Sequence, residues 1–314
     1  MTDINNFFSH DTKATHQTSL PLLDEGDIQV VIQCATHFGA NFSIMRDYYQ
    51  NPQAPGVHCE ITLEQIEQLE KFAATAKRDL ISLLSPSDRI QIEESQTAYA
   101  QLKQIYQINS EQIIPAQKLA DLILSEEEEP LEEITAIVNL GEKAIEPLIG
   151  VLQDDRFYQS SFPGYGRAPE LAARCLKKIK SPRSISVLFS RIGKGDFFFE
   201  DVVLETLAAI GEPAREFLER KLVSKPITAE NENAAMSLVH FPPCEECIKK
   251  VIALLDDESF RCHTVLLAHL VLIAIATTDP EKIEKLHHLR SDASLPEIVR
   301  IDLSQLLASK KQVS

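Results

Sequence analysis

Gly141-Glu-Lys-Ala-Ile-Glu-Pro-Leu148 returns 70 residues further on as Gly211-Glu-Pro-Ala-Arg-Glu-Phe-Leu218. Each copy lies where two short segments meet, and in both segments apolar residues recur at steps of three and four, the period of a helix with one buried face. Glycine between two such segments reads as the turn of a helical hairpin, and its return reads as a repeated hairpin. Units of this kind bury their apolar faces only against their neighbours and build an elongated array.

The spacing predicts first helices over Leu131–Leu140, Pro169–Ile179, Asp201–Ile210, Asn233–Phe241 and His263–Ala276. It predicts second helices over Glu142–Leu152, Pro182–Ile192, Pro213–Leu222, Cys244–Leu255 and Pro280–Leu289, with Pro296–Leu307 closing the array. Leu148, Leu188, Leu218 and Ile248 fall at equivalent places, at steps of 40, 30 and 30, the longer step reflecting a loop insertion. Pro182, Pro213 and Pro280 stand near the starts of second helices, where the N–H that proline lacks has no partner anyway.

The expected fold class is therefore all-α, an α-solenoid of helical hairpins spanning residues 126–310. Residues 21–125 are expected to form a non-repeating helical N-terminal region, and residues 1–20, polar and without periodicity, a disordered tail. Within the N-terminal region the pattern predicts helix over Asp27–Tyr49 with a break at Gly39. A helix capped by Thr62 follows and runs to about Leu84, then a break at Ser85-Pro86-Ser87. Helices over Asp88–Ile108 and Pro115–Leu124 complete it.

Composition agrees with an all-helical chain: 10 Gly and no Trp in 314 residues. A formal net charge of -16 argues against a nucleic-acid binder, whose surface must neutralise phosphates. Six cysteines are too sparse for a disulfide scaffold, and the first residues lack the basic and apolar regions of a signal peptide, so a reducing cytoplasm is expected. The most apolar stretch, Val265–Ala276, is 12 residues long, too short to span a bilayer, so no membrane insertion is expected.

Short helix, tight turn and proline-started second helix, with a period near thirty, resemble the HEAT-repeat family over residues 131–307. The likeness is nearest to the short bacterial HEAT-like repeats also found in phycobilin lyases. It implies an extended binding surface, lined by polar positions of the second helices such as Lys143, Arg215, Glu219 and Lys249.

Three constellations carry chemistry. Cys244-Glu-Glu-Cys247 with Cys262-His263 has the ligand types of a zinc site, but the second half is an adjacent pair, poor geometry for one tetrahedral ion, and the cysteines fall on the apolar side of their helix. No metal and no cofactor are expected. Between residues 167 and 194 eight Arg and Lys face one acid, Glu170, so this repeat carries +7 while residues 121–155 hold eleven acids and one base. Either the basic repeat docks an acidic segment of another protein, or its charges are solvated helix faces partly neutralised by the acidic repeat beside it. Finally, Phe157, Tyr158, Phe162, Tyr165, Phe197, Phe198 and Phe199 place seven of the 20 aromatics in or beside two connections flanking that repeat. Exposed aromatics beside Arg are the usual make-up of a binding hot spot.

The expected site is thus a protein-binding edge formed by Arg167, Arg174, Lys177, Lys178, Arg183 and Arg191 with Phe157, Tyr158, Phe162, Tyr165 and Phe197. Charge reversal of Arg174, Lys178 and Arg183 to Glu is expected to abolish partner binding and spare helicity. The expected function is a non-enzymatic adaptor or scaffold. The HEAT-like resemblance also admits a bilin-lyase-like enzyme, whose tetrapyrrole propionates would suit an Arg-rich surface, and a DNA glycosylase-like protein, against which the net charge speaks. No His-Glu dipeptide occurs, as the iron-dependent HEAT hydroxylases would require, and no phosphate-binding loop or nucleophile elbow is present.

Overall fold

Side chains that cap backbone N–H groups set where each N-terminal helix begins. In a computed structural model, which describes residues 23–77, 79–108, 113–194 and 197–313, α1 spans Glu25–His37, α2 Phe42–Tyr48, α3 Leu63–Ala76, α4 Pro86–Ile105 and α5 Ile114–Ile123. Asp24 caps α1 by accepting from Asp27 N (2.8 Å), and Asn41 caps α2 by accepting from Ile44 N (3.2 Å). Thr62 with Gln65, and Ser85 with Asp88, form reciprocal capping boxes that satisfy two N–H groups at once.

Two sequence expectations are corrected here. The helix begun at Thr62 stops at Ala76, because Lys77 takes a left-handed conformation (φ 49°), and Leu80–Leu83 is a separate 3-10 turn capped by Asp79. Ser85-Pro86-Ser87 does not break a helix; it starts one, with Ser85 as cap and Pro86 in the first turn, where its missing N–H is harmless. The expected disordered tail, residues 1–20, lies outside the described residues.

From α6 onward the chain runs in pairs. These are α6 (Leu131–Val138) with α7 (Glu142–Gln153), α8 (Ala168–Ile179) with α9 (Ile185–Phe189), and α10 (Phe197–Ile210) with α11 (Glu212–Leu222). Then follow α12 (Ala229–Val239) with α13 (Glu245–Asp256), α14 (Thr264–Ala274) with α15 (Pro280–Arg290), and a closing α16 (Glu297–Val313). Among the described residues the protein is all-α, without a strand. Gly141 and Gly211 turn their hairpins at φ 55° and 84°, a region in which any side chain would be strained, which is why the quoted phrase begins with glycine.

A second repeated phrase accompanies it. Asp154-Asp-Arg-Phe157 and Asp257-Glu-Ser-Phe260 each follow a second helix, and each opens a 3-10 turn in which the first Asp accepts from the N–H two residues on (3.1 and 2.8 Å). First helices pack in succession, α6 on α8, α8 on α10, α10 on α12, α12 on α14 and α14 on α16, and α7, α11 and α13 each pack on the first helix of the following pair. Leu148, Leu188, Leu218 and Ile248 are all fully buried, as equivalent positions should be.

Buried polar groups join neighbouring pairs. The Thr206 hydroxyl reaches the Ala173 carbonyl (3.2 Å) from α10 to α8, and Asn231 Nδ2 donates to the carbonyls of Leu222 and Ser224 (2.9 Å each) at the end of α11. One apolar core runs from Leu122 to Leu307; a second, around Val30, Met45, Ile66 and Leu80, belongs to the N-terminal helices. Because Leu122 and Ile123 lie in the long core and α5 packs on α6 and α7, the array's packing begins before residue 126.

Candidate functional site

The long connection between α7 and α8 is not a free edge. Gly164, Tyr165 and Gly166 take φ values of 89°, 57° and 79°, and this run of left-handed residues folds the loop back across the N-terminal helices. Gln33 Nε2 donates to Ser160 Oγ (3.0 Å), Gln91 Nε2 to Ser161 Oγ (2.5 Å), and Ser95 Oγ to the Ser161 carbonyl (2.6 Å). The Tyr165 ring lies 4.5 Å from that of His37 and covers Gly56 so closely that a Cβ there would stand 2.5 Å from the ring. Tyr165 and Tyr48 both donate to the Glu126 carboxylate (3.2 and 2.5 Å). Residues 154–167 thus form the joint between the two cores.

His37 sits at the centre of this joint. Its Nε2 contacts the Ser160 carbonyl at 2.8 Å, and since a carbonyl only accepts, Nε2 carries the proton. Nδ1 therefore accepts from the Tyr99 hydroxyl (2.7 Å). Burial lowers the pKa of this neutral imidazole from 6.5 to about 4, outweighing the favourable bond to Ser160 and adding to the repulsion from His58. Below pH 6.5 the unfolded chain takes up a proton that the folded chain refuses until about pH 4. The stabilisation is therefore complete above pH 6.5 and is lost as pH falls through that window, by at most ~3 kcal/mol at 1.36 kcal/mol per pKa unit. Urea unfolding at pH 7 and pH 4.5 should show this loss, and it should shrink in His37→Asn.

Beside the joint, α4 and the loop leave an open cleft of about 500 Å³. Ile90, Ala98, Leu102 and Ile105 form one apolar wall, and Phe157 and Phe162, in edge-to-face contact at 5.0 Å, form the other. Glu93 and Glu94 rim it, both exposed and neither ion-paired among the described residues. Arg156 is the cleft's one cation; it stacks on Phe162 (5.2 Å to the ring centre) and is paired with Asp154 (2.7 Å).

The residues expected to dock a partner divide sharply. Arg167 donates to the Glu127 and Glu128 carbonyls (3.0 and 2.7 Å). Arg174 pairs with Glu129 (2.5 Å), holding that carboxyl below the usual range, and Lys177 pairs with Glu205 (2.8 Å). Arg183 bonds Glu146, and Arg191 pairs with Asp155 (2.5 Å) while stacking 5.0 Å above the Tyr158 ring. Of the six, Lys178 alone has neither an ion pair nor a hydrogen bond among the described residues. Triple reversal of Arg174, Lys178 and Arg183 would therefore also break pairings between neighbouring helix pairs, and it is not a clean binding test.

Among the aromatics, Phe162 is buried and Phe157, Tyr158 and Tyr165 are half-buried. Tyr158 meets the buried Phe199 edge-on at 5.4 Å. Phe197, expected to be part of the same edge, is 71% exposed, as is the neighbouring Phe198 at 82%, while Phe199 is buried. Three separate ring pairs thus lie along this stretch: Phe157 with Phe162, Tyr158 with Phe199, and Phe197 with Phe198. Sequence reasoning missed the α4 wall, although Ile90, Glu94, Ala98, Leu102 and Ile105 recur at steps of three and four along the helix.

The zinc-type residues are not brought together. α13, of 12 residues and hence about 18 Å long, separates Cys244 and Cys247 at its start from Cys262 and His263 beyond its end. Among the described residues no group of three or more His, Cys, Asp or Glu is placed to hold a metal ion, and no helix is long and apolar enough to cross a membrane. No family model, curated protein or solved structure matches this chain. The functional reading rests on geometry.

Proposed function

We propose that this protein is a non-enzymatic adaptor, a HEAT-like α-solenoid whose cleft between α4 and the 154–167 connection binds a segment of another protein. The cleft itself carries the reading: apolar walls open to solvent at the joint of two cores. Glu93 and Glu94 at its rim, neither in an ion pair among the described residues, in a chain of net charge -16, favour a segment with apolar side chains flanked by Lys or Arg. An acidic partner segment on the basic repeat is less well supported, because five of those six cations already hold partners inside the chain. Tetrapyrrole propionates would meet the same two glutamates, so the lyase-like alternative gains nothing from this site.

The test is affinity capture from the source lysate with wild type and with Glu93→Lys/Glu94→Lys, two exposed substitutions that leave the joint's hydrogen bonds intact. The double variant should lose a partner that wild type retains and that high salt also weakens. A partner retained unchanged by the variant would refute this placement of the site.

A further inference from the structure

The Cys-x-x-Cys phrase has no part in the adaptor reading, and its placement is specific. Cys244 is the N-cap of α13 in extended conformation, Cys247 is the third helical residue, and Ile248 N donates to the Cys244 carbonyl (2.9 Å) to close the turn that carries both. Residues three apart on a helix hold their Cβ atoms about 5–6 Å apart, and a disulfide needs about 3.5–4.5 Å. The difference is small, and it falls at a residue outside the helix whose side chain makes no capping bond. Both cysteines line one cavity of about 170 Å³ between α11, α12, α13 and α14, with Arg215, Phe241 and Leu272. Cys244 is half-exposed at its mouth, and Cys247, 5% exposed, lies behind it.

Cys247 also has a charged neighbour. Glu219, held by Lys250 at 2.7 Å, is the carboxylate whose charge acts on it. Burial first, then the Glu219 charge, pushes the Cys247 thiol up to about 12, so this sulfur stays protonated until a base takes the proton. The other four cysteines are placed differently. Cys34 and Cys175 are buried, and Cys59 and Cys262 are exposed but stand outside any Cys-x-x-Cys phrase.

We propose that Cys244 and Cys247 form a reversible intramolecular disulfide, a thiol-oxidation site at the start of α13 that reacts with a low-molecular-weight disulfide. The Cys244 sulfur, as thiolate, attacks one sulfur of the oxidant, breaking its S–S bond and releasing one thiolate. Cys247 loses its proton to solvent base and attacks the Cys244 sulfur, forming the Cys244–Cys247 bond and releasing the second thiolate. Two protein thiols are oxidised, one small disulfide is reduced to two thiols, and a reducing thiol pair reverses the step.

Full-length protein treated with oxidised glutathione, blocked with N-ethylmaleimide and mapped by mass spectrometry tests this directly. The wild-type peptide carrying Cys244 and Cys247 should be lighter by two hydrogens and free of both glutathione and maleimide, while Cys59 and Cys262 carry glutathione. Cys247→Ser should trap glutathione on Cys244. The proposal is overturned if wild-type Cys244 keeps a stable glutathione adduct. It is equally overturned if both cysteines remain open to maleimide under conditions that modify Cys59 and Cys262. Both readouts use the wild-type chain, so they do not depend on how the variants fold.

Discussion

Replacing Phe162 by alanine should cost about 3–5 kcal/mol, the range for emptying a buried aromatic site. Phe162 is 4% exposed, meets Phe157 edge-on and supports Arg156 on its face, so its neighbours cannot close over the gap without moving the joint. Its position between two cores gives the loss a particular form. The N-terminal helices and the array each hold their own buried cluster, and residues 154–167 bridge them. Thermal unfolding of Phe162→Ala should therefore separate into two transitions where wild type shows one, and the cleft should lose a wall. A single transition shifted by less than about 1 kcal/mol would mean that the loop only rests on the N-terminal helices.

The second large effect is predicted twice. Leu148→Ala and Leu218→Ala should each lower stability by about 2–5 kcal/mol, measured by urea unfolding. The two leucines end the two copies of the repeated phrase, both are fully buried, and each faces the seam between its own hairpin and its neighbours. Leu131→Ala serves as control: at 58% exposure it should change stability by no more than about 0.5 kcal/mol. A near-zero effect at either leucine would show that the two phrases do not occupy the same structural place.

The helix pairs were legible because their signals are local. Glycine at a positive φ, proline where an N–H has no partner and an apolar residue every three or four positions all act within one or two turns. That reading found each of α6 to α16, but α10 and α12 start four residues earlier than expected, so Phe197–Phe199 open α10 rather than lie in a connection. In addition, α9 is shortened to Ile185–Phe189 behind a 3-10 turn, and α16 runs on to Val313. The end of α3 escaped it because Lys77, not glycine, takes the left-handed position. The joint escaped for a different reason. Ser160 and Ser161 are held by Gln33, His37, Gln91 and Ser95, residues 66 to 127 positions away, through small hydroxyls and backbone carbonyls that leave no periodic trace. Phe162 and Tyr165, read as an open edge because they stand in a glycine-rich connection, are covered by helices that precede them by many turns. The basic repeat was visible as charge, but which acid each cation meets depends on stacking of adjacent pairs, with Arg174 and Glu129 lying 45 residues apart.

The adaptor reading is tested most directly by a photo-crosslinker placed at the exposed Gln101 in the cleft and, in parallel, at Lys178 on the basic repeat, irradiated in the source lysate. A discrete adduct from Gln101 is expected, its crosslinked peptide pairing apolar residues with Lys or Arg, and it should disappear in Glu93→Lys/Glu94→Lys. An adduct from Lys178 with none from Gln101 would contradict it and return the binding site to the basic repeat.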